Sequence, residues 1–301
     1  MDVSVIITAL DEPYVNKTID DILQKSDSRL KEIIVIDDDS REKISHPEAR
    51  VIRNSERKGL IWGRNEASLL ANSEAIISID PHVKVNFQWL DPILEKLESN
   101  YKCIAVPQTM MLDPYSWEDI HLRRKGYKTA WDWKLDFNWI QSPGPYTPCM
   151  AGHCFGFTKK WWEESGRFDA DMKIWGGENI EFSLRTWLLG GSVEIVNCWV
   201  SHWFKKKFQY TSSGETLLHN KCRIVEVWFD EYSRVFYDAV GHKRGSINYG
   251  DIRERLKTKY QKQVHSFEWF LKRFKFDLSC LRSAASSGNS AMKNIFDINS
   301  I

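Results

Sequence analysis

Three short patterns in this sequence bring together side chains able to do chemistry. Asp80-x-His82 sets a carboxylate and an imidazole two residues apart. In extended chain both point to the same side, so both can reach one divalent ion. His202 follows the apolar run Val193 to Val200 and is flanked by Trp199 and Trp203, with Lys205, Lys206 and Lys207 just beyond. Trp175-Gly176-Gly177-Glu178-Asn179 stands before a helical pattern. Its two glycines permit close backbone approach or positive φ, so a carboxylate and an amide can project from a tight loop. Each pattern also has a plainer reading. An isolated D-x-H is more often a turn acid beside a surface histidine, and a solitary histidine is more often packed than ligating. The glycine loop is equally a helix start with capping side chains.

The elements that must position these groups follow from apolar periodicity. Val3 to Leu10 is a β-branched strand run followed by Asp11-Glu12-Pro13, and Val15 to Gln24 has helical spacing at Val15, Ile19, Ile22 and Leu23. Ile33 to Ile36 is a buried-strand signal ending in Asp37-Asp38-Asp39-Ser40. Continuous apolar strands around a helix read as a βαβ unit in a parallel sheet. Val51 to Arg53 adds a short strand, Leu60 to Ala71 a helix, and Ala75 to Ile79 a strand ending at Asp80. In such sheets ligands sit beyond the carboxyl ends of the strands, where both acidic clusters fall. Further on, Cys103 to Gln108 and Met150 to Phe157 read as strands, Ile180 to Leu189 as a helix closed by Gly190-Gly191, and Val193 to Val200 as a strand. Between them lie Trp131, Trp133, Trp139 and the loop Ser142-Pro143-Gly144-Pro145. After a polar stretch, Phe204 to Asn220, helices are predicted over Arg223 to Tyr237 and Tyr249 to Tyr260, and Ser283 to Asn289 reads as frayed.

The chain has 301 residues, 42% hydrophobic and 28% charged, which is globular and neither fibrous nor wholly disordered. A net charge of +1 advertises no polyanionic partner in bulk. No apolar stretch approaches the roughly 20 residues that cross a bilayer. The start lacks the basic flank and apolar core of a signal peptide, so a cytoplasmic location is expected. The six cysteines contain no C-x-x-C pair and are read as reduced packing thiols. Trp, at 14, is unusually frequent, as a heavily aromatic core or stacking surfaces would require.

Taken together, the motifs resemble the catalytic domain of polypeptide N-acetylgalactosaminyltransferases, in the family's order from about Val3 to about Leu278. They are Ile36-Asp37-Asp38, Arg53-Asn54, Gly59-Leu60 with Arg64, Asp80-x-His82, Trp131-Asp132-Trp133, Thr147-Pro148-x-Met150-Ala151-Gly152 and Trp175-Gly-Gly-Glu178-Asn179. His202, Glu226-Val227-Trp228 with Asp230-Glu231-Tyr232, and Tyr249-Gly250-x-Ile252 complete the set. The resemblance implies an α/β GT-A fold: a Rossmann-like mixed sheet flanked by helices, with a C-terminal helical extension. It divides the chain into a glycosyltransferase domain over 1–240, with a nucleotide-sugar half (1–100) and an acceptor and catalytic half (101–240), then an extension over 241–282 and a tail over 283–301.

The same resemblance implies a UDP-sugar donor, Mn2+ or another divalent cation, and transfer to a hydroxyl with retention at the anomeric carbon. Carried over by position, Asp80, His82 and His202 become metal ligands, and Thr8, Asp38 and Arg64 the uridine and ribose contacts. Gly152 and His153 border the sugar pocket. Glu178 and Asn179 flank sugar and acceptor, Trp175 lies near the leaving diphosphate, and Lys205 and Tyr210 belong to a loop that closes over the donor. A front-face route with Glu178 positioning is preferred to nucleophilic attack by Glu178.

Two residues depart from the family pattern. His153 stands where the family has a second glycine, which leaves the donor sugar open, and Lys205 replaces a common Arg, losing the bidentate fork. No membrane anchor or lectin domain is recognised, as expected of a bacterial or phage catalytic module. The acceptor expected first is therefore hydroxymethylated cytosine in phage DNA, supported by Lys205-Lys206-Lys207, Lys243-Arg244 and the basic residues Arg253, Arg255, Lys257, Lys259, Lys262, Lys272 and Arg273. The alternatives are Ser/Thr glycosylation of a protein with N-acetylgalactosamine and, in another class, an inactive GT-A binding module. The sequence is silent on oligomeric state.

Overall fold

The computed structural model describes residues 1–120, 127–205, 209–210 and 212–275. The first half alternates as expected: β1 (Val3–Ala9), α1 (Val15–Lys25), β2 (Leu30–Asp37), β3 (Arg50–Arg53), α2 (Leu60–Leu70), β4 (Ala75–Ile79), β5 (Val83–Val85) and α3 (Leu90–Ser99). The second half runs β6 (Cys103–Leu112), β7 (Asp119–Ile120), β8 (Tyr127–Trp131), β9 (Phe137–Gln141), β10 (Cys154–Thr158), α4 (Lys159–Glu164), α5 (Glu178–Leu188) and β11 (Ser192–His202). It closes with α6 (Gly214–Trp228), α7 (Ser233–Val240), α8 (Arg253–Lys262) and α9 (Phe267–Arg273).

The large sheet has strand order β3-β2-β1-β4-β10-β6-β11-β5, with β7 paired to β6, and β8 and β9 form a separate hairpin. β1 pairs in parallel with β2 and β4, while β10 runs antiparallel to β4 and β6. The sheet is therefore mixed, as the resemblance required. Every residue of β1 is buried because helices cover both faces of the sheet. Val3, Val5, Ile7 and Ala9 face a core shared with Ile19, Ile22, Ile93 and Leu97, whereas Ile6 faces a second core built with α5, α6 and α9. The strand's period of two divides one apolar run between two cores.

Helix α2 reaches β1 through Gly63, where a Cβ would stand 2.5 Å from Thr8 Cγ2. The absent side chain lets the helix lie directly on the strand end. Helices α8 and α9 return to the main core, with Phe267, Phe270 and Leu271 fully buried.

Several boundaries differ from the sequence reading. The strand expected over Met150 to Phe157 begins at Cys154, and the residues before it turn into the space above the sheet. The helix expected over Arg223 to Tyr237 starts at Gly214, because Ser213 caps it by accepting the Thr216 N–H at 3.1 Å. It stops at Trp228, because Asp230 takes positive φ in a 3-10 turn over Asp230–Tyr232 before α7 begins. The helix expected from Tyr249 starts at Arg253, after Gly250 at φ +71°. Short elements such as β5 and α4 carry too few residues for a periodic signal, whereas α3, with Leu90, Ile93, Leu94 and Leu97 buried at helical spacing, carries a legible signal that sequence reasoning missed. The frayed segment Ser283 to Asn289, the 283–301 tail and Cys280 lie outside the described residues. The other five cysteines are free and buried, as expected. Among the described residues no helix is long and apolar enough to cross a membrane.

Candidate active site

The three side chains nominated as metal ligands meet. One ligand atom each from Asp80, His82 and His202 lies within 4.8 Å of the others. The two imidazole Nε2 atoms are 3.1 Å apart, and His202 Nε2 is 3.6 Å from Asp80 Oδ2. The cause is strand pairing. β5 runs antiparallel to β11 with Val83 opposite His202, and the Trp203 N–H donates to the His82 carbonyl at 3.2 Å. Asp80 directly follows β4, next to antiparallel β10, where its N–H donates to the His153 carbonyl at 2.8 Å.

Burial lowers the His202 pKa against the pull of Asp80, which keeps an imidazole lone pair available near neutral pH. Burial pushes the Asp80 carboxyl up, but the His202 hydrogen bond and the Arg64 charge outweigh it and hold it below the usual carboxylate range. One carboxylate oxygen and two imidazole nitrogens form a mixed O/N donor set suited to a divalent first-row cation such as Mn2+. The residues fit such an ion.

Arg64 organises the neighbouring side. Its guanidinium donates to Glu178 Oε1 at 2.8 Å and to the Gly152 carbonyl, and lies 3.4 Å from Asp80 Oδ1. Glu178 Oε2 accepts the Gly176 N–H at 3.0 Å, so both of its oxygens are engaged and the acid is 4% exposed. Gly177, at φ +92°, makes the turn that starts α5 at Glu178. The glycine loop is tied to the start of α2 by a bridge between Gly59 and Ile174. Asn179 Nδ2 faces the Met150 carbonyl at 3.4 Å, and the Trp175 carbonyl accepts from Ser212 Oγ at 2.9 Å. Trp175 itself packs against the main core.

The remaining nominated residues divide into two groups. Asp38 is buried and accepts from Asn54 Nδ2 at 2.7 Å and from the Lys58 and Gly59 N–H groups at 2.8 Å. It thereby shapes the turn into α2. Tyr210 is buried beside it, and burial together with the Asp38 charge pushes the phenol far up. Thr8 is buried beneath Gly63. His153 belongs to the metal-side group: its ring stacks on His202 at 4.6 Å, and Thr109 Oγ1 lies 2.9 Å from its Nε2. Lys205 is buried and salt-bridged to Glu12, with Gln209 Oε1 at 2.7 Å. Lys206 and Lys207 lie outside the described residues.

Sequence reasoning missed Glu12 and Thr109. Glu12 had one usable signal, an acid just past the carboxyl end of the first parallel strand. Thr109 had none. Beside His153 an aromatic ledge is exposed, with Phe204, Trp139 and Phe137 in edge contact along it.

The fold and this convergence define a GT-A glycosyltransferase. A solved structure described as GalNAc-T7 with UDP, GalNAc and Mn2+ matches with TM-score 0.83 and 26% identity, over 93% of this chain and 58% of that one. The chain belongs to glycosyl transferase family 2, whose model matches residues 4–166. Within it the chain is polypeptide N-acetylgalactosaminyltransferase-like. It is 34% identical over 273 residues to polypeptide N-acetylgalactosaminyltransferase 4 of Caenorhabditis elegans, covering 82% of this chain and 46% of the relative. It is 33% identical over 299 residues to polypeptide N-acetylgalactosaminyltransferase 14 of Homo sapiens, covering 91% and 53%. The chain thus spans about half the length of the curated relatives it matches.

Proposed function

We propose that this chain transfers a sugar, with N-acetylgalactosamine the first candidate, from a UDP-sugar to a Ser or Thr hydroxyl of a protein, with retention and in the presence of Mn2+. The observation that carries the reading is the meeting of Asp80, His82 and His202 beyond the strand ends, beside the buried Arg64–Glu178 pair. A divalent cation held there supplies charge neutralisation to a departing diphosphate. The chain's own groups do the rest. Arg64 fixes Glu178 and the Gly152 carbonyl as one rigid wall, and Lys205, salt-bridged to Glu12, lies on the His202 side. With both oxygens engaged, Glu178 positions substrate and does not attack it. In the front-face route the acceptor oxygen bonds to the anomeric carbon as the bond from that carbon to the diphosphate oxygen breaks. The acceptor proton passes to the leaving diphosphate. The aromatic ledge of Phe137, Trp139 and Phe204 supports an acceptor segment by stacking at the mouth of the site.

The acceptor expected first from sequence, hydroxymethylated DNA, gives way to the protein acceptor. The relatives are named for polypeptide acceptors. Of the basic residues that suggested DNA, two are buried in the fold and three pair with acids at the surface. Lys259 pairs with Asp230, Arg255 lies buried near Asp169, Lys272 pairs with Glu268, Arg244 with Glu226 and Arg253 with Asp251. Arg273 lies over Tyr146 and Trp187. The two buried cations, Lys259 and Arg255, are withdrawn from a phosphate backbone. The intact metal cluster likewise favours an enzyme over an inactive binding module.

The deciding experiment measures UDP release and label transfer from UDP-N-acetylgalactosamine to a Ser/Thr peptide, with and without Mn2+. Mn2+-dependent glycosylation of the peptide is expected. A protein that neither binds UDP nor releases it from any UDP-sugar would end the enzyme reading.

A further inference from the structure

The loop after β1 carries a buried acid that none of the motifs includes. Glu12 has 5% of its side chain exposed, yet it sits among cations and imidazoles. One oxygen forms the salt bridge to Lys205. The other, Oε2, lies 3.3 Å from His82 Nδ1. Among the described residues both buried atoms lack a hydrogen-bond partner, and their mutual contact is close but not aligned as a hydrogen bond. The opposite face of the same imidazole, Nε2, is the one turned toward His202. Glu12 is therefore placed behind the His82 ring, on the side away from the ligand cluster.

We infer that Glu12 is a positioning residue. A small turn of the ring lets its carboxylate, 3.3 Å away, accept the His82 Nδ1–H, which fixes that tautomer and aims the Nε2 lone pair into the space shared with Asp80 and His202. The inference rests on the metal-site reading above. A histidine free to carry its proton on either nitrogen spends part of its time with the ligating nitrogen blocked, and a carboxylate behind the ring removes that state. The same arrangement accounts for the short contact between the two imidazoles without a cation. With His82 protonated on Nδ1, a proton on His202 Nε2 can be donated across the 3.1 Å gap to His82 Nε2. Glu12 also ties the ligand to the segment after β11, because its second oxygen holds Lys205. His82 and the buried Lys205 ammonium thus share one carboxylate.

The test uses the whole chain and Mn2+ alone, read by calorimetry and by loss of the free Mn2+ electron-resonance signal, together with the ring-nitrogen chemical shifts of His82 in the metal-free protein. Glu12→Ala would strand a buried lysine, so it is paired with the double variant Glu12→Leu, Lys205→Met, which removes both charges, and with Glu12→Gln, which keeps an acceptor oxygen. The expected result is Mn2+ binding weakened roughly 10- to 100-fold in Glu12→Ala and in the double variant, with Glu12→Gln close to wild type. The His82 shifts should report a proton on Nδ1 in wild type and a mixture of tautomers in the double variant. Wild-type affinity in the double variant, or a proton on Nε2 of His82 in the wild-type protein, overturns the inference while leaving the metal site standing. A wild-type chain that binds no Mn2+ overturns the metal reading itself.

Discussion

At the scale of single residues, the engagement of both Glu178 oxygens assigns the acid its role. Arg64 and the Gly176 N–H occupy them, and an acid clamped in this way is poorly placed to attack an anomeric carbon. Intact-protein mass spectrometry during turnover should show no glycosyl adduct; a sugar covalently attached to Glu178 would reverse the assignment. Glu178→Gln leaves Arg64 without its closest buried counter-charge and should lower stability by about 3 kcal/mol in urea unfolding. His202 is the ligand contributed from farthest along the chain. His202→Ala should weaken Mn2+ binding by more than ~100-fold and reduce turnover correspondingly, with an unchanged far-ultraviolet circular dichroism spectrum. An unaltered Mn2+ dependence would remove His202 from the cluster. The ligand types were legible because D-x-H at a strand end is a chemical pattern. The place of Glu12 behind the His82 ring was not, because only the fold brings the two together.

At the scale of elements, the site depends on how α2 lies against β1. Gly63 makes that approach possible, and the next residue, Arg64, then points at Glu178, Asp80 and Gly152. In Gly63→Ala the new methyl group meets Thr8 across a gap of 2.5 Å, so helix or strand must shift. The expected cost is about 1–3 kcal/mol in urea unfolding, with a fall in turnover as Arg64 moves. Wild-type values of both would show that the contact relaxes freely. The long, fully apolar elements of the first half announced themselves through their period. β5 has three residues and no period to read, yet it is the strand that brings His82 to His202.

At the scale of the whole molecule, distant segments are joined by buried ion pairs as well as by the two cores. Arg223 on α6 holds Asp169 through two hydrogen bonds of 2.8 Å, with Arg255 of α8 3.6 Å away. Burial pushes the Asp169 carboxyl up, but the Arg223 hydrogen bond and the charges of Arg255 and Arg223 prevail and leave it lowered. A carboxyl with a depressed folded-state pKa adds stability that is complete above its unfolded value, roughly 4, and is lost as pH falls through the folded value. Urea unfolding from pH 7 downward should therefore show an acid limb that Asp169→Asn flattens. At pH 7 the variant should lose about 3–5 kcal/mol, since two buried arginines lose their shared partner. An acid limb identical in wild type and variant would assign that limb to other carboxylates.

By itself the sequence determined the alternation of strands and helices in the first hundred residues, the kinds of ligand atom and the acidic strand ends. Those depend on local periodicity and on side-chain chemistry, which are written along the chain. Only the tertiary structure decided which groups meet. His82 and His202 are 120 residues apart, and their contact follows from β5 pairing with β11. His153 reaches Asp80 because β10 runs antiparallel beside β4. Lys259 and Arg255 likewise meet Asp230 and Asp169, partners that no linear pattern reveals. Strand order and the direction of each strand are set by competition among many nonlocal pairings and two cores, and no single window of sequence contains that competition.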